Sequence, residues 1–503
     1  MSQQPAWLDN PLLIKHIRTR LRRPMLLQSI VVLLVILGMA VFWDVASGTF
    51  PSEWLGYFNW VVQGILLGLI GTNQVVSAVG SARESGILDF HRISPEEPRS
   101  VTWGFFLGAP IREYLLFLLT LPLTFLVMVC SDFPGRQVYA VDWLQSMIAV
   151  LLLSWLLQAL GMLSALTSAR AGKSWTGVQV FVVIVGLYLF GSIVPFLSRA
   201  VGNGRYEPWK IYYFGAEVPW AIGVALLAVP LTVFALIASI RKFRSERAPA
   251  LSKPESLAFV TTAAVSLLGY FWGNSGTFLG LIYLLTLVGL FGVMPISPGG
   301  GDYARGVRRA VREGRRHLSF WDDLALGRVT IFLICLVVLI AATIGKSNLG
   351  IDPQIYWNGQ VTSAEANGAP TIPVAVLSLA SFGLAFQYFR LRAPNRASSL
   401  MGLAVFLIWV VPAILLGIVE ATGISGPSSP ALGAVLAGFT PITGLAAITT
   451  MAGPGRMYAQ IAALIPALGL PFLLNALITK EHRRIDRVMR GAPVKKPPID
   501  PLA

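Results

Sequence analysis

Few residues in this chain are of types that do chemistry, and most of those are spaced wrongly for it. Gly172-Lys173-Ser174 and Gly345-Lys346-Ser347 match the end of a phosphate-binding loop. That loop needs a glycine five positions before the second one, a strand before it and a helix after it. Positions 167 and 340 are Thr167 and Ile340, and both tripeptides abut apolar runs, so neither is expected to hold a nucleotide. His16, His91, His317 and His482 are scattered without ligand spacing, and no metal site is expected. Glu96–Glu97 and Asp322–Asp323 are adjacent carboxylates. Sequence neighbours do not face each other on a helix, so these pairs read as solvated loop charge. Cys130 and Cys335 lie in or beside apolar runs and read as small buried hydrophobes. No catalytic residue and no cofactor is expected.

The elements available to position anything are apolar helices. Of 503 residues, 55% are hydrophobic and 13% charged, with mean hydropathy +0.68; a soluble domain carries about 25% charged residues. After Pro24, Met25 to Trp43 is broken only by Gln28 and Ser29, a stretch of roughly 28 Å as a helix, close to the bilayer's hydrocarbon thickness. This run exceeds a signal-peptide core and is expected to stay as a first span. The expected fold is all-α, a polytopic membrane protein of about twelve spans. These lie near 25–45, 56–78, 112–131, 143–167, 176–197, 219–241, 257–273, 277–295, 328–345, 372–390, 399–419 and 457–479, with 429–450 placed as re-entrant or interfacial backbone. On this layout 33 of the 39 Lys and Arg fall on one side, which by the positive-inside rule puts both termini in the cytoplasm. The same clustering between spans explains the formal charge of +15 without nucleic acid. VPLTVFALIASIRKFRSERAPALSKPE and GLPFLLNALITKEHRRIDRVMRGAPVKKPP end the sixth and last spans in the same way. The expectation is therefore two parallel six-helix halves, 1–245 and 257–503.

Three cytoplasmic segments stand out. In DNPLLIKHIRTRLRR (residues 9–23), Asn10 can cap and Pro11 suits the first helical position. Leu13, Ile14, Ile17 and Leu21 face one way, with Lys15, Arg18 and Arg22 opposite. This predicts a basic elbow helix lying on an anionic inner leaflet. The loop 81–117 is long and of mixed charge. Ile87, Leu88 and Phe90 are expected to form an apolar patch, with Glu84, Asp89, Arg92, Glu96 and Glu97 in water, as a docking surface for a soluble partner requires. In the loop 299–328, Tyr303, Val307, Ala310 and Val311 take one side of a helix, with Arg305, Arg308, Arg309, Arg312, Arg315 and Arg316 around the rest. Two expectations stand there, contact with anionic lipid or docking of a partner in a different way from the first loop.

Glu84, Gly86, Leu88-Asp89, Ser94-Pro95 and Leu107-Gly108 resemble the coupling segment of ABC-2-type exporter permeases, roughly Glu-x-Gly-Thr-Leu-Asp, a Pro-containing turn, then Gly-Lys. The elbow and the six-span unit also fit that family. Ile87 stands where Thr is usual, and Ala109 follows Gly108 where Lys is common. Leu326-Gly327-Arg328 resembles the family's Gly-Lys before the third span, but 299–328 lacks the Glu-x-Gly pattern. The resemblance implies a permease of a bacterial cytoplasmic membrane whose loop around Glu84, Gly86, Leu88, Asp89, Pro95 and Gly108 docks on a separate ATP-binding-cassette ATPase, where ATP is hydrolysed. It also implies a pathway lined by spans 2 and 5 of each half.

Two other classes compete. A twelve-span carrier of major-facilitator type would want ionisable groups within the membrane, whereas Asp44, Arg112, Glu113 and Glu420 fall at span ends. Gln63, Asn73, Gln74, Gln158, Gln179, Gln387 and Asn475 supply only neutral polarity. A membrane-embedded enzyme would want clustered His, Asp or Glu at one interface. The apolar interior leans towards a lipid-like or uncharged cargo.

Overall fold

The computed structural model describes residues 10–48, 50–94, 96–130, 139–167, 210–272, 278–315, 317–348, 354–357, 360–363, 371–393, 396–397, 400–401, 403 and 454–489. The expected span 176–197, all of 399–419 except 400, 401 and 403, the segment 429–450, Pro95, Gly172-Lys173-Ser174, Gln179, Arg316 and Glu420 lie outside them. Among the described residues eight helices are long and apolar enough to cross a bilayer: Arg23–Ala46, Trp54–Glu84, Ile111–Val129, Trp143–Thr167, Trp220–Arg244, Arg328–Ser347, Ile372–Arg392 and Ile461–Met489. The chain is thus an α-helical, multi-pass membrane protein. The expected 257–273 and 277–295 are helices as well, Lys253–Phe271 and Phe278–Val293. The second has 16 residues, about 24 Å at the helical rise, short of a full crossing.

The chain divides into two units, one of Met1–Tyr212 and Ala216–Ala250, the other of Tyr213–Gly215 and Leu251–Ala503. In the first, α1 (Pro11–Arg20) begins where Asn10 Oδ1 accepts from the Leu12 and Leu13 N–H groups at 3.0 and 3.2 Å. α2 (Arg23–Ala46) is the first span. Its buried Asp44 accepts from the backbone N–H of Ser52 at 2.8 Å and from the Ser52 hydroxyl, while Ser52 Oγ caps the next helix at the Leu55 N–H. The second span is one rod of three parts, α3 (Glu53–Gly64), a π-helical stretch Ile65–Gly71 and α4 (Thr72–Glu84).

Then come α5 (Ile87–Ile93), α6 (Pro98–Gly108), α7 (Ile111–Cys130), α8 (Tyr139–Thr167) and α9 (Trp220–Arg244). Within a bilayer, buried amides and hydroxyls must find protein partners. Here Asn59 donates to Thr124 Oγ1 at 2.7 Å, and Gln63 donates to the Thr120 and Thr124 hydroxyls at 2.9 Å, which stitches α3 to α7. Gln158 on α8 receives the Tyr114 hydroxyl at 2.8 Å and donates to the Leu67 carbonyl at 3.1 Å. It thereby satisfies an acceptor in the π-helical stretch, where regular i→i−4 bonding is interrupted.

The second unit holds α10 (Lys253–Phe271), α11 (Phe278–Val293), α12 (Gly300–Arg312), α13 (Arg328–Asn348), α14 (Thr371–Arg392) and α15 (Pro454–Met489). A capping box starts α10: Ser252 Oγ accepts from the Glu255 N–H, and Glu255 accepts from the Ser252 N–H at 2.7 Å. Gly345, from the second phosphate-loop look-alike, is in the last turn of α13, where a Cβ would collide with Leu281 on α11. That glycine serves helix packing. Two short ribbons interrupt the helices, β1 (Lys210–Tyr213) with β2 (Ala216–Pro219), and β3 (Gln354–Trp357) antiparallel to β4 (Gln360–Ser363).

Candidate functional site

The segment from Glu84 to Gly108 is built on a glycine. α4 stops at Glu84 because Gly86 takes φ +72°, the left-handed region that suits a residue without Cβ, and the chain turns into α5. Gly86 also accepts from the N–H groups of Asp89 and Phe90 at 3.1 and 3.2 Å. Leu88 points inward, 3% exposed, in a core with Val79, Val101, Phe105, Leu166 and Phe243. Placing Ile87 and Leu88 on a surface patch is therefore corrected: Leu88 is fully inside the bundle and Ile87, partly buried, packs against the same core. The outward face carries Phe90, 64% exposed, and Ile93, 84% exposed, with Glu84 and Asp89 beside them in water.

Arg92 and Glu96 are not solvated as expected. Arg92 donates to Asp89 at 2.6 Å, lies 3.6 Å from Glu246 and reaches the Lys242 carbonyl at 3.4 Å. Arg83 pairs with Glu246 at 2.7 Å, so the tail following α9 clamps α4 and α5 together. His91 Nδ1 lies 3.0 Å from Glu96. A cavity of about 210 Å³ lies among His91, Arg92, Glu96 and Phe243. The result is a short helix held at its base and apolar at its tip. Such a piece can transmit a push to α4 and α9 without deforming.

The elbow helix is positioned by the same segment. Asn10 Nδ2 donates to the Ser100 carbonyl at 2.6 Å. A Cβ at Gly104 would lie 2.7 Å from Leu12 Cβ, and one at Gly108 would lie 3.1 Å from His16 Cβ. These two glycines of α6 thus form the seat of α1. The face of α1 buried against protein is Leu12 and His16, distinct from the stripe of Leu13, Ile14, Ile17 and Leu21. Ile14 and Ile17 remain exposed, as do Lys15, Arg18 and Arg22. His16 meets Phe105 edge-to-face, its ring centroid at 5.5 Å, and its Nε2 has no hydrogen-bond partner among the described residues. Burial first, then the Arg20 and Lys15 charges, push its pKa down from 6.5 to about 4. Neither the glycine seat nor the histidine under it was read from sequence, although a Gly104-x-x-x-Gly108 spacing on a short helix is a signal for close helix approach.

In the second unit, α12 turns Tyr303, Val307 and Ala310 inward, onto Leu384, Tyr388 and Leu391 of α14 and Ile478, Ile485 and Met489 of α15. Its apolar face is covered by protein. Val311 is on the exposed side. Arg305, Arg308, Arg309 and Arg312 point out, and Arg305 pairs with Asp302 and Arg309 with Asp322. The following loop is organised around Lys253, only 1% exposed. Its Nζ donates to the carbonyls of Phe320 at 2.8 Å, Asp322 at 2.7 Å and Ala325 at 2.9 Å. Burial lowers its pKa to about 8, opposed by the Asp323 and Asp322 carboxylates, so it stays charged at neutral pH. Gly327 donates its N–H to Gln387 Oε1 at 3.1 Å, and Arg328 Nη1 donates to Thr479 Oγ1 at 2.9 Å.

Among the described residues no three of His, Cys, Asp and Glu gather as a metal site would need. No protein-family model, curated protein or solved structure matches this chain.

Proposed function

We propose that the chain is the transmembrane permease subunit of an ATP-driven exporter of ABC-2 type, with twelve spans in two six-helix halves and ATP hydrolysis on a separate ATP-binding-cassette subunit. One observation carries this reading. The segment that resembles the family's coupling loop is a rigid helix presenting Phe90 and Ile93 to water beside Glu84 and Asp89, while Leu88, Arg83 and Arg92 bind it to the transmembrane helices. Exposed apolar side chains rimmed by charge are what a protein partner buries. The ATPase closes on ATP, pushes α5, and moves α4 and α9 with it, rocking the helices around the pathway. In this reading the excess of Lys and Arg places both termini on the ATPase side of a bacterial cytoplasmic membrane, and Lys15, Arg18 and Arg22 rest against its anionic leaflet.

The test is co-purification with the candidate ATPase. Phe90→Asp with Ile93→Asp removes the apolar tip without touching the base. ATPase recovery is expected to fall at least tenfold, with membrane insertion unchanged; recovery equal to wild type would refute the docking assignment. A secondary carrier of major-facilitator type draws on a different observation. Glu113 is fully buried, bound on one oxygen by Arg112 at 2.7 Å, with Oε2 unpartnered among the described residues. Transport that persists without any ATPase and is lost in Glu113→Gln would favour that reading.

A further inference from the structure

α12, the loop after it and the end of α15 enclose a cavity of about 250 Å³ in the second unit. Its walls are apolar at Val307, Ala310, Leu326 and Val329, and its charged lining is Arg328, His317, His482 and Asp486. The guanidinium of Arg328 uses only Nη1, on Thr479, while Nε and Nη2 are buried with no hydrogen-bond partner among the described residues. Buried donors of this kind are costly to leave unmade. The two atoms form the side edge of the guanidinium, the fork that receives two oxygens of a carboxylate or phosphate at once. The single carboxylate of the lining, Asp486, sits one turn beyond His482 on α15, where it neighbours the imidazole, while the lining group that acts on Arg328 is the Tyr303 phenol. Arg308, on the outer side of α12 with its Nε 3.2 Å from Met489 Sδ, adds positive potential at the rim. Phe320, which lines the cavity, and Trp321 beside it are both exposed, their ring centroids 4.6 Å apart, and aromatic residues are enriched at membrane interfaces.

We infer that this cavity is a binding site for a phosphate-bearing anion, with Arg328 as its side-on ligand and the apolar wall receiving the ester portion. The cavity lies where the third span of the second half begins. An inner-leaflet phospholipid can therefore reach it laterally, and a soluble phosphate ester can reach it from the aqueous side. The site does not depend on an ATPase partner and holds for a carrier as well.

The test uses the full chain in detergent, probed with dioleoylphosphatidylglycerol, dioleoylphosphatidylcholine and inorganic phosphate, with bound lipid read by native mass spectrometry and phosphate by thermal shift. Wild type is expected to retain the tightest phosphatidylglycerol roughly tenfold better than Arg328→Gln, as loss of a charge-assisted bidentate contact implies. Phosphatidylcholine, whose headgroup ends in a cation, is expected to be held weakly. A shift with inorganic phosphate that vanishes in Arg328→Gln assigns the site to a soluble ester; lipid retention without that shift assigns it to the leaflet. Arg328→Lys keeps the charge but not the fork and is expected to fall between, and it carries the comparison if Arg328→Gln does not fold. Equal retention and equal shift in wild type and the folded variant would overturn the proposal.

Discussion

Acidification should lift the elbow helix α1 off its seat on α6, and the size of the effect follows from the contacts. Burying Leu12 contributes about 2 kcal/mol, the edge-to-face packing of His16 on Phe105 about 1 kcal/mol, and the Asn10–Ser100 hydrogen bond about 1 kcal/mol. Docking of roughly 4 kcal/mol leaves about one molecule in a thousand undocked. His16 has its pKa lowered to about 4 when docked, against 6.5 when free. A base with a depressed pKa contributes no penalty above its free value. The docked state then loses about 1.4 kcal/mol per pH unit as pH falls from 6.5 towards 4. Allowing for screening at the exposed flank of the helix, about 2–3 kcal/mol is lost by pH 4.5. The charges facing His16 act in the same sense: Lys15 and Arg20 on its own helix oppose protonation. Glu113 and Arg112 act with opposite signs on Arg20.

The undocked fraction in wild type thus rises to roughly one in ten. In Asn10→Ala, which loses the Ser100 bond and the cap, it rises to about half. Spin labels at positions 18 and 99, both exposed, in a chain with Cys130 and Cys335 replaced, read the two populations as distances. The expected result is a second, longer distance that grows between pH 7 and 4.5 in Asn10→Ala and is absent in Asn10→Ala with His16→Leu. A single distance at every pH, or the same titration without His16, would refute the reasoning.

Other outcomes follow from single contacts. Gly104→Leu places a branched side chain where a Cβ already lies 2.7 Å from Leu12 Cβ, and amide exchange of residues 11–20 should rise to that of an undocked helix at every pH. Lys253→Met leaves the carbonyls of Phe320, Asp322 and Ala325 without their shared donor, at a cost of about 3 kcal/mol or more, and protease cleavage within 315–327 should accelerate. Gln158→Leu removes the partner of both the Tyr114 hydroxyl and the Leu67 carbonyl. It should destabilise the first unit by about 2–4 kcal/mol, read as a lower thermal midpoint in detergent.

Much of the architecture was legible because the bilayer imposes it. A run such as Met25 to Trp43 has one stable solution in hydrocarbon, a helix that satisfies its own backbone, and Asn10-Pro11 and Ser252-x-x-Glu255 announce helix starts by local chemistry alone. Gly86 was read only as part of a family resemblance, and its role as the positive-φ turn after α4 came from the structure. What sequence could not say is which face of a short helix is inward when both faces offer apolar residues. Leu88 and Phe90 are of similar hydrophobicity, two positions apart on α5, and only packing against Val79, Val101 and Phe243 sends one inside and leaves the other in water. Likewise only the room opened by the two glycines of α6 makes Leu12 and His16 the face of α1 that packs on protein, with Ile14 and Ile17 left exposed.

Composition, apolar run length and charge asymmetry therefore determined by themselves that the chain is a helical, multi-pass membrane protein. They depend on transfer free energy summed over many residues and tolerate error at any one. The coupling tip, the elbow seat, the carbonyl cage around Lys253 and the unpaired edge of Arg328 were decided only in three dimensions. Each depends on atoms from segments 67 to 163 residues apart, brought to within a hydrogen bond by packing that no local pattern encodes.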